Sequence, residues 1–328
     1  MIYCISDIHG RMDLFERMLE KINLQTGDML YVIGDSIDRG GGLKVIKKIK
    51  ELHDKGLATL LMGNHELVLL NNFYTHKDAR YIEMTLDRIK EIQENNKADS
   101  EKINEIKGNS NILSAFELMI LTGKKFNELL EMNNKKAEIR NSLVNTNISS
   151  HMEEWETFKD LEELPVEEKR EILDFIMKLP YSKELRVNGT NYLLVHGGIA
   201  TNGDNTNNDV SNLLVREEFY SNKVSCEQLK SNGFQEDCVV IFGHTTTRDI
   251  NIRLNHKYIA PHKIWFDNIY NDKICIDCGA CYPNGQLACL RLDDMKEFYV
   301  KNEEKFITPI EKINACFNEI KVEVLKHE

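Results

Sequence analysis

The first 62 residues alternate short apolar runs with amphipathic stretches, and this rhythm constrains the fold more than any other feature of the chain. Apolar runs of strand length occupy residues 2–5, 29–33 and 58–62. Between them, residues 13–21 and 43–55 have the 3.6-residue apolar spacing of helices. Strands that alternate with helices favour a parallel sheet joined by crossover helices. We therefore predict an α/β fold.

Strand-like runs return in the second half of the chain, at residues 192–195, 239–242, 274–276 and 287–292. The segment between the two groups of strands is rich in Lys, Glu, Asn, Leu and Ile. Helices are predicted in it at residues 79–95, 112–122, 126–142, 152–161 and 167–179. We predict a single domain over residues 1–328, interrupted by a helical insertion or cap at residues 75–183. The insertion either decorates the fold or overhangs the site and selects substrates.

The composition excludes several classes of protein. The formal net charge is −11, which argues against a nucleic-acid partner, because proteins that grip nucleic acid need a basic surface. No stretch approaches the roughly 18 to 20 apolar residues of a membrane span, and the first residues show no signal-peptide pattern. We expect a cytoplasmic location, no membrane partner and reduced thiols at the eight cysteines. The oligomeric state stays open.

Five of the apolar runs are each followed at once by polar residues that can bind a metal ion. The candidate ligands are Asp7, His9, Asp35, Asn64, His196 and His244. Functional groups gather at the carboxyl ends of the strands in open α/β sheets. Asp7 and His9 are two residues apart, so an extended backbone would place both on one side. Asp35 follows the central strand of three and is the best candidate to bridge two ions. Such oxygen and imidazole ligands suit manganese, iron or zinc.

The sequence blocks around these residues resemble a known family. SDIHG, GDSIDRG, GNHE, HGG and GHT occur in the order found in the phosphoprotein phosphatase (PPP) branch of the calcineurin-like metallophosphoesterases, and are most similar to the bacterial-type serine/threonine protein phosphatases. The resemblance covers residues 1–72 and about 155–300. It implies a β-sandwich of mixed sheets flanked by helices. It also implies a dinuclear centre of two divalent or trivalent ions, manganese first, with iron or zinc as alternatives.

The resemblance implies a role for each residue. The ligands of the first ion would be Asp7 and His9, the bridge would be Asp35, and the second site would be completed by Asn64, His196 and His244. Arg39 and Arg216 would clamp phosphate, because a guanidinium presents paired donors to phosphate oxygens. His65 would act as the general acid, with Asp38 as its partner. Hydrolysis would proceed by direct attack of a metal-bridging water.

The substrate has two leading interpretations. A phosphorylated protein, cleaved at phosphoserine or phosphothreonine, is favoured because GDSIDRG retains Asp38 and GNHE ends in Glu66. The alternative is a nucleotide hydrolase of the symmetrical diadenosine tetraphosphatase type. Further alternatives are a non-catalytic binding module and an enzyme that cleaves phosphodiesters.

The run of Cys275, Cys278 and Cys281 admits a metal cluster, although buried free thiols are the favoured interpretation. Tyr282, directly after this run, is a candidate for the lining of the substrate pocket.

Overall fold

Ten strands and nine helices make up the described part of the protein. The computed structural model describes residues 1–75, 156–200, 208–235, 237–258 and 261–303. The strands are β1 (Ile2–Ile5), β2 (Met29–Val32), β3 (Ala58–Leu60), β4 (Ser182–Val187), β5 (Thr190–Val195), β6 (Cys238–Phe242), β7 (Trp265–Phe266), β8 (Lys273–Cys275), β9 (Gln286–Arg291) and β10 (Lys296–Lys301). The helices are α1 (Met12–Ile22), α2 (Lys44–Asp54), α3 (Asn64–Thr75), α4 (Glu156–Glu163), α5 (Val166–Met177), α6 (Asn208–Leu214), α7 (Glu217–Tyr220), α8 (Cys226–Ser231) and α9 (Thr247–Asn255).

The strands form two five-stranded sheets. The first has the order β10-β9-β1-β2-β3, and the second has the order β4-β5-β6-β8-β7. Strands β1, β2 and β3 are parallel, as are β5, β6 and β8. The outer strands pair antiparallel, with β9 against β1 and β10, β4 against β5, and β7 against β8. The predicted α/β class and the mixed sheets are confirmed, and β2 lies between β1 and β3 as the sequence predicts.

Alternating side chains along β1 show how the sheets are layered. Cys4 belongs to a buried cluster with Leu194 and Ile241 of the second sheet, so this cluster fills the space between the two sheets. Its neighbour Ile5 belongs to another cluster, which contains Phe15 of α1 and packs the helices on the outer face of the first sheet. A third cluster packs α7, α8 and α9 on the second sheet. The predicted sandwich flanked by helices is thus confirmed.

Apolar spacing explains why the helices form where they do. In α1 the buried side chains Leu14, Phe15, Met18 and Ile22 form one stripe, and the helix ends at Asn23, whose backbone is left-handed with a φ of 49°. None of the described helices has the length and apolar character that crossing a membrane requires.

The end of the predicted insertion packs into the body of the protein. Phe158 and Leu161 of α4, with Ile172 of α5, belong to the same buried cluster as α1. The predicted helices at residues 79–95, 112–122 and 126–142 lie outside the described residues. The extent of the insertion, residues 75–183, therefore stays a prediction.

The sequence patterns do not predict β4 and β10, which lie at the edges of the two sheets. Their sequences are SKELRV and KEFYVK, and several of their side chains are exposed. Edge strands bury fewer side chains than central strands, and charged residues there protect against unwanted pairing. For this reason they lack the apolar run that identifies the central strands.

Candidate metal centre

The six predicted ligands converge at the carboxyl ends of strands from both sheets. Asp7 follows β1, Asp35 follows β2, and Asn64 begins α3 shortly after β3. His196 follows β5 directly, and His244 lies two residues after the end of β6. Asp7, His9, Asp35, Asn64 and His196 are buried, and His244 is half-buried. The two sheets thus contribute jointly to one site.

The backbone of this site departs from the sequence prediction. Asp7 and His9 do not continue β1 as an extended chain, because their φ angles are 52° and 48°. Asp35 and His244 have left-handed φ angles as well, of 50° and 63°. The alternation of an extended strand is therefore the wrong reason for placing Asp7 beside His9, although Asp7 Oδ1 does lie 3.9 Å from His9 Nε2. Left-handed non-glycine residues are strained and cluster at functional sites.

Asp35 is the common member of two groups that can hold a metal ion. The first group is His9, Asp35 and His65, and the second is Asp35, His196 and His244; within each, the potential ligand atoms lie within 4.8 Å of one another. Asp35 Oδ2 is 3.7 Å from His9 Nε2, and Asp35 Oδ1 is 3.4 Å from His196 Nε2. Each carboxylate oxygen therefore faces a different histidine, which is the arrangement that a bridging ligand needs.

The ring orientation of two histidines leaves one nitrogen of each for the site. Nδ1 of His9 lies 3.2 Å from the carbonyl oxygen of Ile37, and Nδ1 of His196 lies 2.9 Å from that of Ile33. When Nδ1 carries the proton and donates it in a hydrogen bond to a backbone carbonyl, the lone pair of the neutral imidazole is on Nε2. Nε2 is then the nitrogen that can bind a metal ion. Nε2 of His196 is 2.9 Å from Asn64 Oδ1, so the amide and the imidazole are neighbours in the site.

The residues fit a dinuclear metal centre. Nε2 of His244 is buried and has no hydrogen-bond partner among the described residues. Buried polar atoms are nearly always paired, so an orphaned imidazole nitrogen beside a carboxylate indicates that a cation is its partner. Asp7 lies outside both of the groups of three, but its carboxylate accepts hydrogen bonds from the backbone N–H of His244 at 3.0 and 3.2 Å, which ties the end of β1 to the end of β6.

Burial and mutual charge shift the pKa values in this site. Burial, reinforced by neighbouring histidines, lowers the pKa of His9 and of His244 well below the ordinary value, so both are neutral and able to bind a metal ion. Burial alone would raise the pKa of Asp35, but His196 and the other histidines hold it well below its ordinary range. Burial alone would lower the pKa of His196. The nearby carboxylates, above all that of Asp35, together outweigh this effect and raise the pKa of His196 to about 10.

Glu66 organises the site, and the sequence prediction gave it no such role. Its buried carboxylate accepts hydrogen bonds from the backbone N–H of Asp35 (2.9 Å), of Ser36 (2.7 Å) and of Gly63 (3.1 Å), and from the Ser36 hydroxyl (2.8 Å). A Cβ on Gly34 would lie 2.6 Å from the Cα of Gly63, so these two loops approach as closely as glycine permits. Glu66 is the last residue of the GNHE block, and this block does not by itself reveal that Glu66 binds the loops of Asp35 and Gly63.

His65 and Asp38 lie together as predicted. Nδ1 of His65 is 2.8 Å from Asp38 Oδ2, and both side chains are buried. Burial opposes protonation of His65, but the carboxylates of Asp35 and Asp38 raise its pKa. Nε2 of His65 is 3.7 Å from Asp35 Oδ2, the same distance as Nε2 of His9. The geometry alone therefore also admits His65 as a ligand, and its predicted role as general acid stays a prediction.

Both predicted phosphate-binding arginines line the cleft above the site. Arg39 donates to the hydroxyl of Tyr282 at 2.8 Å, and its Nη2 is 3.5 Å from His65 Nε2. Arg216 donates to the carbonyl oxygen of His244 at 3.1 Å and to the Thr245 hydroxyl at 3.3 Å. Both arginines are exposed residues, and neither forms an ion pair with a carboxylate of the described residues.

The cleft contains further residues. Its lining also includes Thr246, Asp249, Asp277 and Tyr282. Tyr282 therefore lines the cleft, and its contact with substrate stays a prediction. Asp277, which was not predicted, is buried, and burial together with the nearby Asp7 raises its pKa well above the ordinary value. Cys275 and Cys278 are buried side chains, and both candidate metal groups within the described ranges consist of Asp and His alone.

Comparison with known proteins decides the family. The sequence model of the calcineurin-like phosphoesterases matches residues 1–279. The chain belongs to the calcineurin-like phosphoesterase family. Members of this family use a dinuclear divalent metal centre, and this chain has clustered Asp and His residues able to hold one.

Two curated relatives share short matches with this phosphoesterase. It is 41% identical over 71 residues to the symmetrical bis(5'-nucleosyl)-tetraphosphatase of Delftia acidovorans (strain DSM 14801 / SPH-1), covering 21% of this chain and 25% of the relative. It is 40% identical over 82 residues to the protein of that name from Acidovorax sp. (strain JS42), covering 24% of this chain and 28% of the relative. The matches thus span about a quarter of the relatives' length.

Among solved structures, the phosphoesterase is similar to a metallophosphoesterase from Sphaerobacter thermophilus, with 11% sequence identity and a TM-score of 0.41. The match covers 93% of this chain and 89% of that one. The assignment to the PPP branch, as distinct from the wider family, stays a prediction.

Proposed function

We propose that this phosphoesterase hydrolyses phosphate esters or anhydrides at a dinuclear metal centre held by Asp7, His9, Asp35, Asn64, His196 and His244. One observation carries the proposal: the Asp35 carboxylate lies between His9 and His196, with one oxygen toward each. When bound, two metal ions supply a water activated for attack and neutralise the charge that develops on the phosphate oxygens. Manganese is the first choice of ion, because oxygen and imidazole ligands suit it.

Other side chains at the site bind the phosphate and protonate the leaving group. Arg39 and Arg216 bind the phosphate oxygens, since both line the cleft and carry exposed guanidinium groups. His65 donates a proton to the leaving oxygen from Nε2, while Asp38 holds Nδ1 at 2.8 Å and keeps the ring protonated. Asp38 thus acts on the ring orientation and charge of His65.

For the substrate class, we favour a dinucleoside polyphosphate. The names of the curated relatives, symmetrical bis(5'-nucleosyl)-tetraphosphatases, support this choice. Tyr282, which is 42% exposed at the cleft, offers a ring on which a nucleobase can stack. A phosphoserine or phosphothreonine protein is the second candidate, and its support is the retention of Asp38 and Glu66, which the sequence resemblance associates with protein phosphatases.

A substrate panel tests the function and the substrate together. The purified chain, loaded with Mn²⁺, is given diadenosine tetraphosphate, a phosphoserine peptide, 4-nitrophenyl phosphate and a phosphodiester. We expect diadenosine tetraphosphate to be turned over fastest, with ADP as the single nucleotide product, because symmetrical cleavage yields two equal halves. Faster release of phosphate from the peptide would favour the second candidate. No turnover of any of the four substrates with Mn²⁺, Fe²⁺ or Zn²⁺ would overturn the proposed function.

A further inference from the structure

The loop that carries Asp38 and Arg39 is held in place by helix α4, which follows the undescribed residues 76–155 in the chain. The backbone N–H of Asp38 donates to the hydroxyl of Thr157 at 3.1 Å. At the other end of this loop, the backbone N–H of Leu43 donates to Asp160 Oδ2 at 3.1 Å. Thr157 and Asp160 lie three residues apart near the start of α4 and so share a face of that helix.

The loop needs such support because its backbone is strained. Asp38 and Arg39 are consecutive left-handed residues, with φ angles of 66° and 64°. Conformations of this kind persist only where the surroundings hold them. The N–H of Asp38 is also buried, and a buried N–H without an acceptor is costly. Thr157, whose exposed fraction is 0%, supplies that acceptor from α4.

The fit between loop and helix is close at the second contact too. A Cβ built on Gly42, whose φ is 59°, would overlap the carboxylate of Asp160. The loop therefore has direct backbone contact with the helix at both of its ends, through Thr157 and through Asp160. The side chains of Asp38 and Arg39 both contact His65, and Arg39 also lines the cleft.

From these contacts we propose that Thr157 is a positioning residue for the Asp38–His65 pair, and that Asp160 anchors the far end of the same loop. The inference rests on the proposed role of His65 as proton donor. Thr157 acts through Asp38: the hydroxyl fixes the Asp38 backbone, the carboxylate is thereby held against Nδ1 of His65, and the ring is held for proton donation. Loss of the hydroxyl should impair only reactions whose leaving group must be protonated.

The test compares Thr157→Val, Thr157→Ser and Asp160→Ala with the wild-type chain, with Thr59→Val as a control. Thr59 is a half-buried threonine of β3 whose hydroxyl contacts Met29 outside the cleft. The first readout is amide hydrogen exchange of a peptide that covers residues 36–43, which requires no turnover. We expect exchange in this peptide to rise about tenfold or more in Thr157→Val and Asp160→Ala. It should stay unchanged in Thr157→Ser, which keeps the hydroxyl, and in Thr59→Val.

The second readout is turnover of two aryl phosphates with Mn²⁺. Phenolate leaves poorly without a proton, whereas 4-nitrophenolate leaves readily, so only phenyl phosphate depends strongly on a general acid. For Thr157→Val we expect kcat on phenyl phosphate to fall about tenfold or more, with kcat on 4-nitrophenyl phosphate changed less than about twofold. Thr157→Ser should restore both rates.

The two readouts separate the failure of this inference from the failure of the proposed function. Unchanged exchange in Thr157→Val would overturn the inference whatever the activity. Raised exchange with equal losses on both substrates would also overturn it, because the loop would then not serve proton donation in particular. A wild-type chain that turns over neither aryl phosphate nor any other substrate of the panel, with Mn²⁺, Fe²⁺ or Zn²⁺, would contradict the proposed function, while the exchange experiment would still decide whether Thr157 and Asp160 hold the loop.

Discussion

Nδ1 of His65 lies 2.8 Å from Oδ2 of Asp38, and both side chains are buried although they come from different elements. Asp38 lies in the loop after β2, and His65 is the second residue of α3. In the proposed function, Asn64 is a metal ligand and its neighbour His65 is the proton donor, so both roles fall at the start of α3. The proposed roles of these two residues separate the chemistry of the metal ions from that of the leaving group.

The first prediction concerns His65→Asn. We expect kcat to fall by about 10² to 10⁴ on a substrate with a poor leaving group, because general acid catalysis contributes that much. The bound metal, measured by inductively coupled plasma mass spectrometry, should stay at the wild-type level. His53→Asn on α2, a histidine that contacts the carbonyl oxygen of Ala58, serves as the control and should change neither quantity. Loss of metal in His65→Asn would show that His65 is a ligand, which its 3.7 Å distance from Asp35 also admits.

The second prediction is that metal affinity rises with pH. In the metal-free protein Asp35 raises the pKa of His196 to about 10, so His196 carries a proton at neutral pH. A metal ion must displace this proton, and one displaced proton makes the apparent affinity rise about tenfold for each pH unit below that pKa. Calorimetric titration with Mn²⁺ between about pH 6 and pH 8 measures the slope. An affinity that stays constant over this interval would contradict the protonation of His196.

The third prediction concerns Glu66→Gln. In the wild-type protein both carboxylate oxygens of Glu66 accept hydrogen bonds from backbone N–H groups. Glutamine keeps one of these oxygens, but its NH₂ group takes the place of the other and cannot accept a hydrogen bond. Leaving such buried donors unsatisfied costs about 1–3 kcal/mol. We expect the free energy of unfolding in urea to fall by about that amount, with weaker Mn²⁺ binding because the loop of Asp35 is loosened. Glu51→Gln, on the surface of α2, should leave both values unchanged, and the same result for Glu66→Gln would refute the role we assign to it.

The fourth prediction separates the two arginines from the metal ligands. Arg39→Ala and Arg216→Ala should each weaken competitive inhibition by inorganic phosphate about tenfold, because charge-assisted hydrogen bonds to phosphate are lost. Bound metal should not change. Arg253→Ala is the matched control, since Arg253 is exposed and pairs with Glu217 outside the cleft. Phosphate inhibition equal to wild type in both cleft variants would rule out the phosphate clamp.

The part of the site that could be predicted is the part that follows central strands. Each buried strand leaves an apolar run in the sequence, and Asp35, His196 and His244 come at or just beyond the ends of such runs, so their convergence follows from the parallel sheet order. The family resemblance added the assignment of roles. Tyr282, a candidate from its place directly after the cysteine run, also lines the cleft.

The residues that escaped prediction act through contacts that are distant in sequence. The Thr157 hydroxyl accepts a hydrogen bond from the backbone N–H of Asp38, which is 119 positions away in the sequence. Glu66 accepts one from Ser36, which is 30 positions away. No local pattern marks a side chain whose partner is a backbone N–H elsewhere in the chain. The left-handed backbone of Asp7 and His9 escaped for a related reason: aspartate and histidine tolerate it only where the tertiary structure holds it, so residue type alone predicts the extended form.

The most direct test of the central claim is the metal content of Asp35→Asn. If the Asp35 carboxylate bridges two ions, the wild-type chain should bind two Mn²⁺ ions, and Asp35→Asn should lose both or nearly both, because an amide offers one neutral oxygen where the carboxylate offers two charged ones. Asp54→Asn, at an exposed position of α2, should retain both ions. Two tightly bound ions in Asp35→Asn, or a single ion in the wild-type chain, would contradict a dinuclear centre bridged by Asp35.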